Sequence, residues 1–102
     1  MVSKKYSIEE IRELLYPLFN RIPVSKAILF GSYARNEATG KSDIDLFVDA
    51  GGRLKGLSFI GFCEEIEETV QKSVDIFEKD YLDPSSDLYR AIGMEGITIY
   101  GG

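Results

Sequence analysis

Apolar side chains recur at helical spacing near the start of the chain. They repeat every three or four positions, at Ile11, Leu14, Leu15, Leu18, Phe19 and Ile22. This pattern is typical of an amphipathic helix. Ser7 and Glu10 precede it at the spacing of a capping box, so we expect the helix to span about residues 7–21. Pro17 lies within this span, and because proline lacks an amide hydrogen, we expect it to kink or end the helix nearby.

Two further helices are predicted in the second half of the chain. The first covers residues 57–71, with apolar positions at Phe59, Phe62, Cys63, Ile66 and Val70. The glutamates between residues 64 and 68 would form its solvated face. A short helix is expected after Asp83-Pro84, with Asp83 as its N-cap and Pro84 in its first turn.

Short apolar runs bounded by glycine and polar residues predict four strands. They cover residues 24–30, 44–48, 73–77 and 97–100. Their order among the helices predicts an α/β (α+β) fold, in which a small mixed sheet carries helices on one face. The length of 102 residues predicts one domain spanning 1–102.

The charge and the residue types narrow the chemistry. The formal net charge is −5, which disfavours a nucleic acid as the main substrate because such binding depends on Lys and Arg at phosphates. A nucleotide is not excluded, since a metal ion can neutralise its charge. The chain has no histidine, so a general base must be a carboxylate, Lys, Tyr or Cys.

Cysteine usage and hydropathy bear on location. Cys63 is the single cysteine and cannot form an internal disulfide. No apolar run approaches the roughly 20 residues of a membrane helix, and no apolar stretch follows the N-terminus as in a signal peptide. We therefore expect a cytoplasmic protein without a membrane contact.

A glycine-serine turn and two aspartates form the main candidate site. Gly31 and Ser32 end the first predicted strand, where a backbone without Cβ can approach phosphates and the serine amide and hydroxyl can donate to them. Asp43 and Asp45 lie one residue apart, so on a strand both project from the same face. Two neighbouring carboxylates suit a hard cation such as Mg²⁺.

A third carboxylate is available from the next predicted strand. Asp75 lies in the otherwise apolar run 74–77, where burial of a charge is costly unless a cation balances it. Nucleotidyl transfer uses two divalent ions held by a few carboxylates, so Asp43, Asp45 and Asp75 predict a site for two Mg²⁺ ions.

The same residues have simpler interpretations. The glycine-serine turn could only end a strand, and the aspartates could be solvated. Arg35 is either a phosphate contact or a structural ion pair, Lys41 suits a solvated loop, and Ser42 could cap the turn before the strand.

The spacing resembles that of a known superfamily. Gly31-Ser32, ten intervening residues and Asp43-Ile44-Asp45 are similar to the motif of the DNA polymerase β-like nucleotidyltransferases. Together with Asp75, the string resembles the minimal nucleotidyltransferase (MNT) antitoxins of prokaryotes over roughly residues 24–100. The resemblance implies the polymerase β-like fold.

The resemblance also implies residue roles. Gly31 and Ser32 would bind the triphosphate, with Arg35 and Ser42 as further nucleotide-binding candidates. Asp43 and Asp45 would bind both metals, and Asp75 would complete the metal site and help deprotonate the acceptor hydroxyl. Asn36 stands where the family usually has glycine, and asparagine tolerates positive φ better than most residues.

Two classes of function follow from the resemblance. As an enzyme, the protein would transfer AMP from ATP, with Mg²⁺, onto a tyrosine of a HEPN-type toxin. Such a toxin is a ribonuclease and a separate protein chain. As a binding module, it would neutralise the toxin by contact alone. Nucleotidyl transfer to a small molecule is a third interpretation, disfavoured because no acceptor-binding domain is visible.

Overall fold

Four strands form a mixed sheet in the computed structural model, which describes residues 4–101. In chain order they are β1 (Lys26–Phe30), β2 (Ile44–Asp49), β3 (Val74–Glu78) and β4 (Ile97–Tyr100). Their order in the sheet is β3-β2-β1-β4. The strand β1 is antiparallel to β2 and β4, whereas β2 and β3 are parallel, and the parallel pair is joined by a helical crossover. The predicted small mixed sheet is confirmed.

Two helices, α1 (Ile8–Arg21) and α2 (Leu57–Val70), cover one face of the sheet. The apolar side of each helix packs on side chains of the strands. Among these strand residues, Leu29, Leu46 and Val48 are fully buried. Burial on this scale fixes the strand register, because a slip by one residue would turn each apolar side chain to the other face.

The helix α1 begins and ends close to the predicted residues. The Ser7 hydroxyl accepts from the Glu10 amide at 3.1 Å, and the Glu10 carboxylate accepts from the Ser7 amide at 2.8 Å, so the capping box is confirmed. The helix does not end at Pro17 but continues to Arg21. Leu18 and Phe19, buried beyond the proline, stabilise that last turn and outweigh the missing hydrogen bond.

A third helix, α3 (Asp87–Glu95), packs on the opposite face. The expectation that the helices share one face therefore holds for α1 and α2 only. Ile92 of α3 is buried against Phe30 and Phe47, which project from the same face as the predicted site aspartates. The helix α3 shields these aromatic side chains from solvent and so covers this part of the face.

The N-cap of α3 differs from the prediction. Ser86, not Asp83, caps the helix, and its hydroxyl accepts from the Tyr89 amide at 3.1 Å. The Asp83 carboxylate accepts instead from the amide of Ser85 at 2.9 Å and closes a turn ahead of the helix. Both residues suit an N-cap, and the sequence does not show which one adopts the extended backbone before the helix.

No helix within residues 4–101 is long and apolar enough to cross a bilayer.

The cap assignment predicts a stability difference. Ser86→Ala should lower the free energy of unfolding by about 1 kcal/mol, because the Tyr89 amide loses its acceptor. Ser85→Ala, whose hydroxyl donates to the exposed Asp83 carboxylate, is the matched control and should change it by less than about 0.5 kcal/mol. Urea denaturation measures both, and a larger loss for Ser85→Ala would contradict the assignment.

Candidate active site

The chain turns sharply at Gly31, directly after β1 ends at Phe30. Gly31 is buried with φ of +72°, a conformation that favours glycine, and a Cβ built there would overlap Oδ2 of Asp45. The Arg35 amide donates to the Gly31 carbonyl at 3.1 Å, so a single helical turn follows the glycine and includes Ser32. The candidate phosphate turn therefore lies directly against a candidate metal ligand.

The strand register brings two of the aspartates together. Asp45 is in register with Phe30 of β1 on one side and with Asp75 of β3 on the other, so both carboxylates project from the same face. Asp43 precedes β2 by one residue and is exposed. Asp75 is also exposed, which is the solvated alternative that its sequence position left open, because β3 is an edge strand and α3 does not cover this end of the face.

The carboxylates share one electrostatic environment. Burial, followed by the negative charges of Asp75 and Asp43, raises the pKa of Asp45 to about 6, and the charge of Arg35 opposes this shift. Neighbouring negative charges disfavour the ionisation of a carboxyl group, and a divalent cation would relieve that repulsion. The oxygen ligands and their charge fit Mg²⁺. Within residues 4–101, no group of three or more potential ligands is already assembled around a metal position.

The candidate basic and hydroxyl residues make structural contacts. Arg35 forms ion pairs with Glu37 and Glu95 at 2.9 and 3.0 Å, which is the structural alternative that its sequence position left open. The Ser42 hydroxyl accepts from the Thr39 amide at 2.8 Å and so stabilises the loop.

The remaining loop residues are exposed. Lys41 is exposed on the same loop as Ser42, as the solvated interpretation expects. Asn36 has φ of +60°, so it adopts the left-handed conformation that glycine would favour. The turn therefore keeps its shape with asparagine at this position.

Sequence reasoning missed Glu37 and Glu95. Glu95 ends α3 and lies 60 residues from Arg35 in the sequence, so no local spacing indicates the contact. One signal was available, because a carboxylate at the C-terminus of a helix is electrostatically unfavourable and calls for a basic partner.

A separate cleft of about 200 Å³ opens on the same sheet face. Its lining residues are Lys26, Ile28, Phe47, Asp49, Lys79, Tyr89, Ile92 and Gly93. None of the predicted site residues lines it, so the cleft is distinct from the aspartate cluster.

Comparison with known proteins gives the family. The model of the family described as "Polymerase beta, Nucleotidyltransferase" matches residues 9–102. A protein of Methanocaldococcus jannaschii that is named as a protein adenylyltransferase is 36% identical over 78 residues, which cover 76% of this chain and 84% of that protein. The chain therefore belongs to the polymerase β nucleotidyltransferase family.

Solved structures agree with this assignment. A structure described as a minimal nucleotidyltransferase has a TM-score of 0.74 and 30% identity, and the match covers 92% of this chain and 97% of that one. The complex of a tri-AMPylated Shewanella oneidensis HEPN toxin with an MNT antitoxin matches with a TM-score of 0.72 and 18% identity, over 93% of this chain and 73% of that one. At that identity, the second match shows the fold alone.

The glycine turn predicts a specific sensitivity. Gly31→Ala should lower the free energy of unfolding by about 1–3 kcal/mol, because alanine disfavours positive φ and its Cβ would displace Asp45. Gly61→Ala, inside α2 with no atom within 4 Å of an added Cβ, should instead stabilise the protein by about 0.5–1 kcal/mol. Thermal and urea unfolding of the two variants measure this contrast, and equal effects would contradict it.

The raised pKa of Asp45 predicts that its carboxylate destabilises the protein when no metal is bound. The folded-state pKa of Asp45, about 6, lies above its ordinary value of 3.8, so the folded state holds the proton more tightly than the unfolded state does. The resulting loss of stability is present above pH 6 and disappears as the pH falls towards 4.

Asp45→Asn should therefore raise the free energy of unfolding by about 1 kcal/mol at pH 7.5 in EDTA, after allowance for solvent screening. The difference from the wild type should shrink as the pH approaches 4. Urea denaturation across this range measures it, and a variant less stable than the wild type at pH 7.5 would contradict the electrostatic account.

Proposed function

We propose that the protein transfers AMP from ATP onto a tyrosine hydroxyl of a HEPN-type toxin and thereby acts as its antitoxin in the cytoplasm. The observation that carries the proposal is the contact of the Gly31 turn with Asp45, together with the register of Asp45 and Asp75. A phosphate-binding turn and a carboxylate cluster on adjacent strands are what a nucleotidyl transfer requires.

Different residues of this chain bind the phosphates and the metal ions. Gly31 and Ser32 hold the triphosphate through backbone amides and the serine hydroxyl. Asp43, Asp45 and Asp75 would hold two Mg²⁺ ions, which when bound neutralise the phosphate charge and stabilise the charge that develops in the transition state.

The reaction is an in-line displacement at the α-phosphorus. The acceptor hydroxyl oxygen forms a bond to the α-phosphorus, and the bond from that phosphorus to the bridging oxygen of the β-phosphate breaks. Pyrophosphate leaves with the electron pair of that bond. The hydroxyl proton passes to the carboxylate of Asp75, which is exposed and so accessible to an acceptor from another chain.

Three observations support a toxin as the acceptor. The fold matches that of an MNT antitoxin bound to an AMPylated HEPN toxin, and the curated relative is named as a protein adenylyltransferase. The net charge of −5 also suits a protein acceptor better than a nucleic acid.

Neutralisation by contact alone is the second candidate function. Leu57 and Ile60 on the outer side of α2 are 86% and 52% exposed, next to the exposed Glu64 and Glu68. Exposed apolar side chains of this kind occur at protein interfaces, so α2 could bind a toxin without any catalysis.

The enzymatic proposal is tested by AMP transfer. The protein is incubated with Mg²⁺, α-labelled ATP and the candidate toxin, and the toxin mass is measured. The wild type should add 329 Da per AMP, a value set by the chemistry of AMP transfer, whereas Asp43→Asn and Asp45→Asn should lower the rate at least about 100-fold.

Asp49→Asn is the matched control for this experiment. Asp49 lies on the same strand and face as Asp45, and an asparagine there can still accept from the Gly51 amide. Transfer by this variant should remain within about twofold of the wild type. Absence of AMP on the toxin with folded wild-type protein would contradict the enzymatic proposal, and full protection of cells by the Asp43/Asp45 double variant would favour contact alone.

A further inference from the structure

Two carboxylates hold Arg35, one from its own loop and one from the end of α3. Its Nε donates to Oε1 of Glu37 at 2.9 Å, and its Nη1 donates to Oε1 of Glu95 at 3.0 Å. Asn36, which lies between Arg35 and Glu37, has φ of +60°. Because Glu95 is the last residue of α3, one guanidinium joins the Gly31 turn to that helix.

The position of Glu95 is unfavourable for the helix itself. The C-terminus of a helix carries a partial negative charge that repels a carboxylate, and α3 has no basic residue in its last turn. The Glu95 side chain is 29% exposed, against 63% for Glu37, so solvent screens its ion pair less. The ion pair with Arg35 therefore offsets the repulsion between the Glu95 carboxylate and the C-terminus of α3.

The paired guanidinium keeps donors for another ligand. Arginine has five N–H donors in a planar fork, and the contacts to Glu37 and Glu95 use those on Nε and Nη1. Within residues 4–101, Nη2 makes no hydrogen bond. The Arg35 amide donates to the Gly31 carbonyl at 3.1 Å, so this side chain projects from the same turn as the candidate phosphate-binding residues.

We infer that Glu95 is a positioning residue, which fixes Arg35 so that the remaining edge of the guanidinium donates to the phosphates of ATP on the Gly31 turn. The inference rests on the proposed function of this site. An arginine already fixed by two carboxylates loses less side-chain entropy when it binds phosphate. Glu95 itself does not touch the nucleotide and acts only through Arg35.

Direct binding of ATP with Mg²⁺ tests the inference without a partner protein. Isothermal titration calorimetry of the whole chain should show that Glu95→Gln weakens ATP binding about tenfold, because the uncharged amide holds the guanidinium less firmly. Glu95→Asp, which keeps the charge, should recover part of the affinity. Glu13→Gln, on the exposed side of α1, is the control and should bind like the wild type.

A double-mutant cycle separates positioning from a general loss of stability. If Glu95 acts through Arg35, the Arg35→Lys variant and the Arg35→Lys/Glu95→Gln variant should bind ATP with the same affinity. The free energy of unfolding of Glu95→Gln should stay close to that of the wild type, since relief of the helix-dipole repulsion offsets the lost ion pair.

The outcomes are distinguishable. If the wild type binds ATP and Glu95→Gln binds equally well or more tightly, the role of Glu95 is overturned while the proposed function stands. Additive effects in the cycle would also overturn it. If the wild type does not bind ATP with Mg²⁺, both the inference and the proposed function fail.

Discussion

The close approach of the Gly31 backbone to the Asp45 carboxylate is the constraint on which the rest of the site depends. It requires a residue without Cβ at positive φ, and it requires the end of β1 to lie beside the start of β2. Because Phe30 and Asp45 are partners in that antiparallel register, the turn after β1 meets the carboxylate directly. The candidate phosphate donors and the candidate metal ligands therefore come from adjacent strands.

Alternate side chains of β2 face the core on one side of the sheet and the candidate site on the other. Ile44, Leu46 and Val48 are fully buried beneath α1 and α2, which fixes the strand and its register. The opposite side of the same strand carries Asp45 and Phe47. The helix α3 covers Phe47 and leaves the aspartate end of the face open, so one sheet face is divided into a packed half and an open half that carries the candidate site aspartates. A rigid strand that holds the carboxylates is favourable for a site whose geometry must be precise.

Much of this arrangement could be predicted from local patterns. The capping box at Ser7 and Glu10 and the alternation from Asp43 to Val48 each depend on residues close in sequence, and both were predicted with their correct faces or ends. The N-cap of α3 could not be predicted with certainty, since Asp83 and Ser86 satisfy the same local rule. The exposure of Asp75 and the partner of Arg35 depend on strand order and on α3 packing, which are set by contacts distant in sequence. The three-aspartate metal site and the nucleotide contacts stay predictions.

In this nucleotidyltransferase the carboxylates of the candidate site repel one another, and a bound divalent cation would relieve that repulsion. Burial and this repulsion raise the pKa of Asp45 to about 6. The most direct test is calorimetric titration of the wild-type protein with ATP, in the presence of Mg²⁺ and in EDTA. We predict that binding requires Mg²⁺ and is lost when both Asp43 and Asp45 are changed to asparagine. Equal binding of ATP in EDTA, or unchanged binding by that double variant, would contradict it.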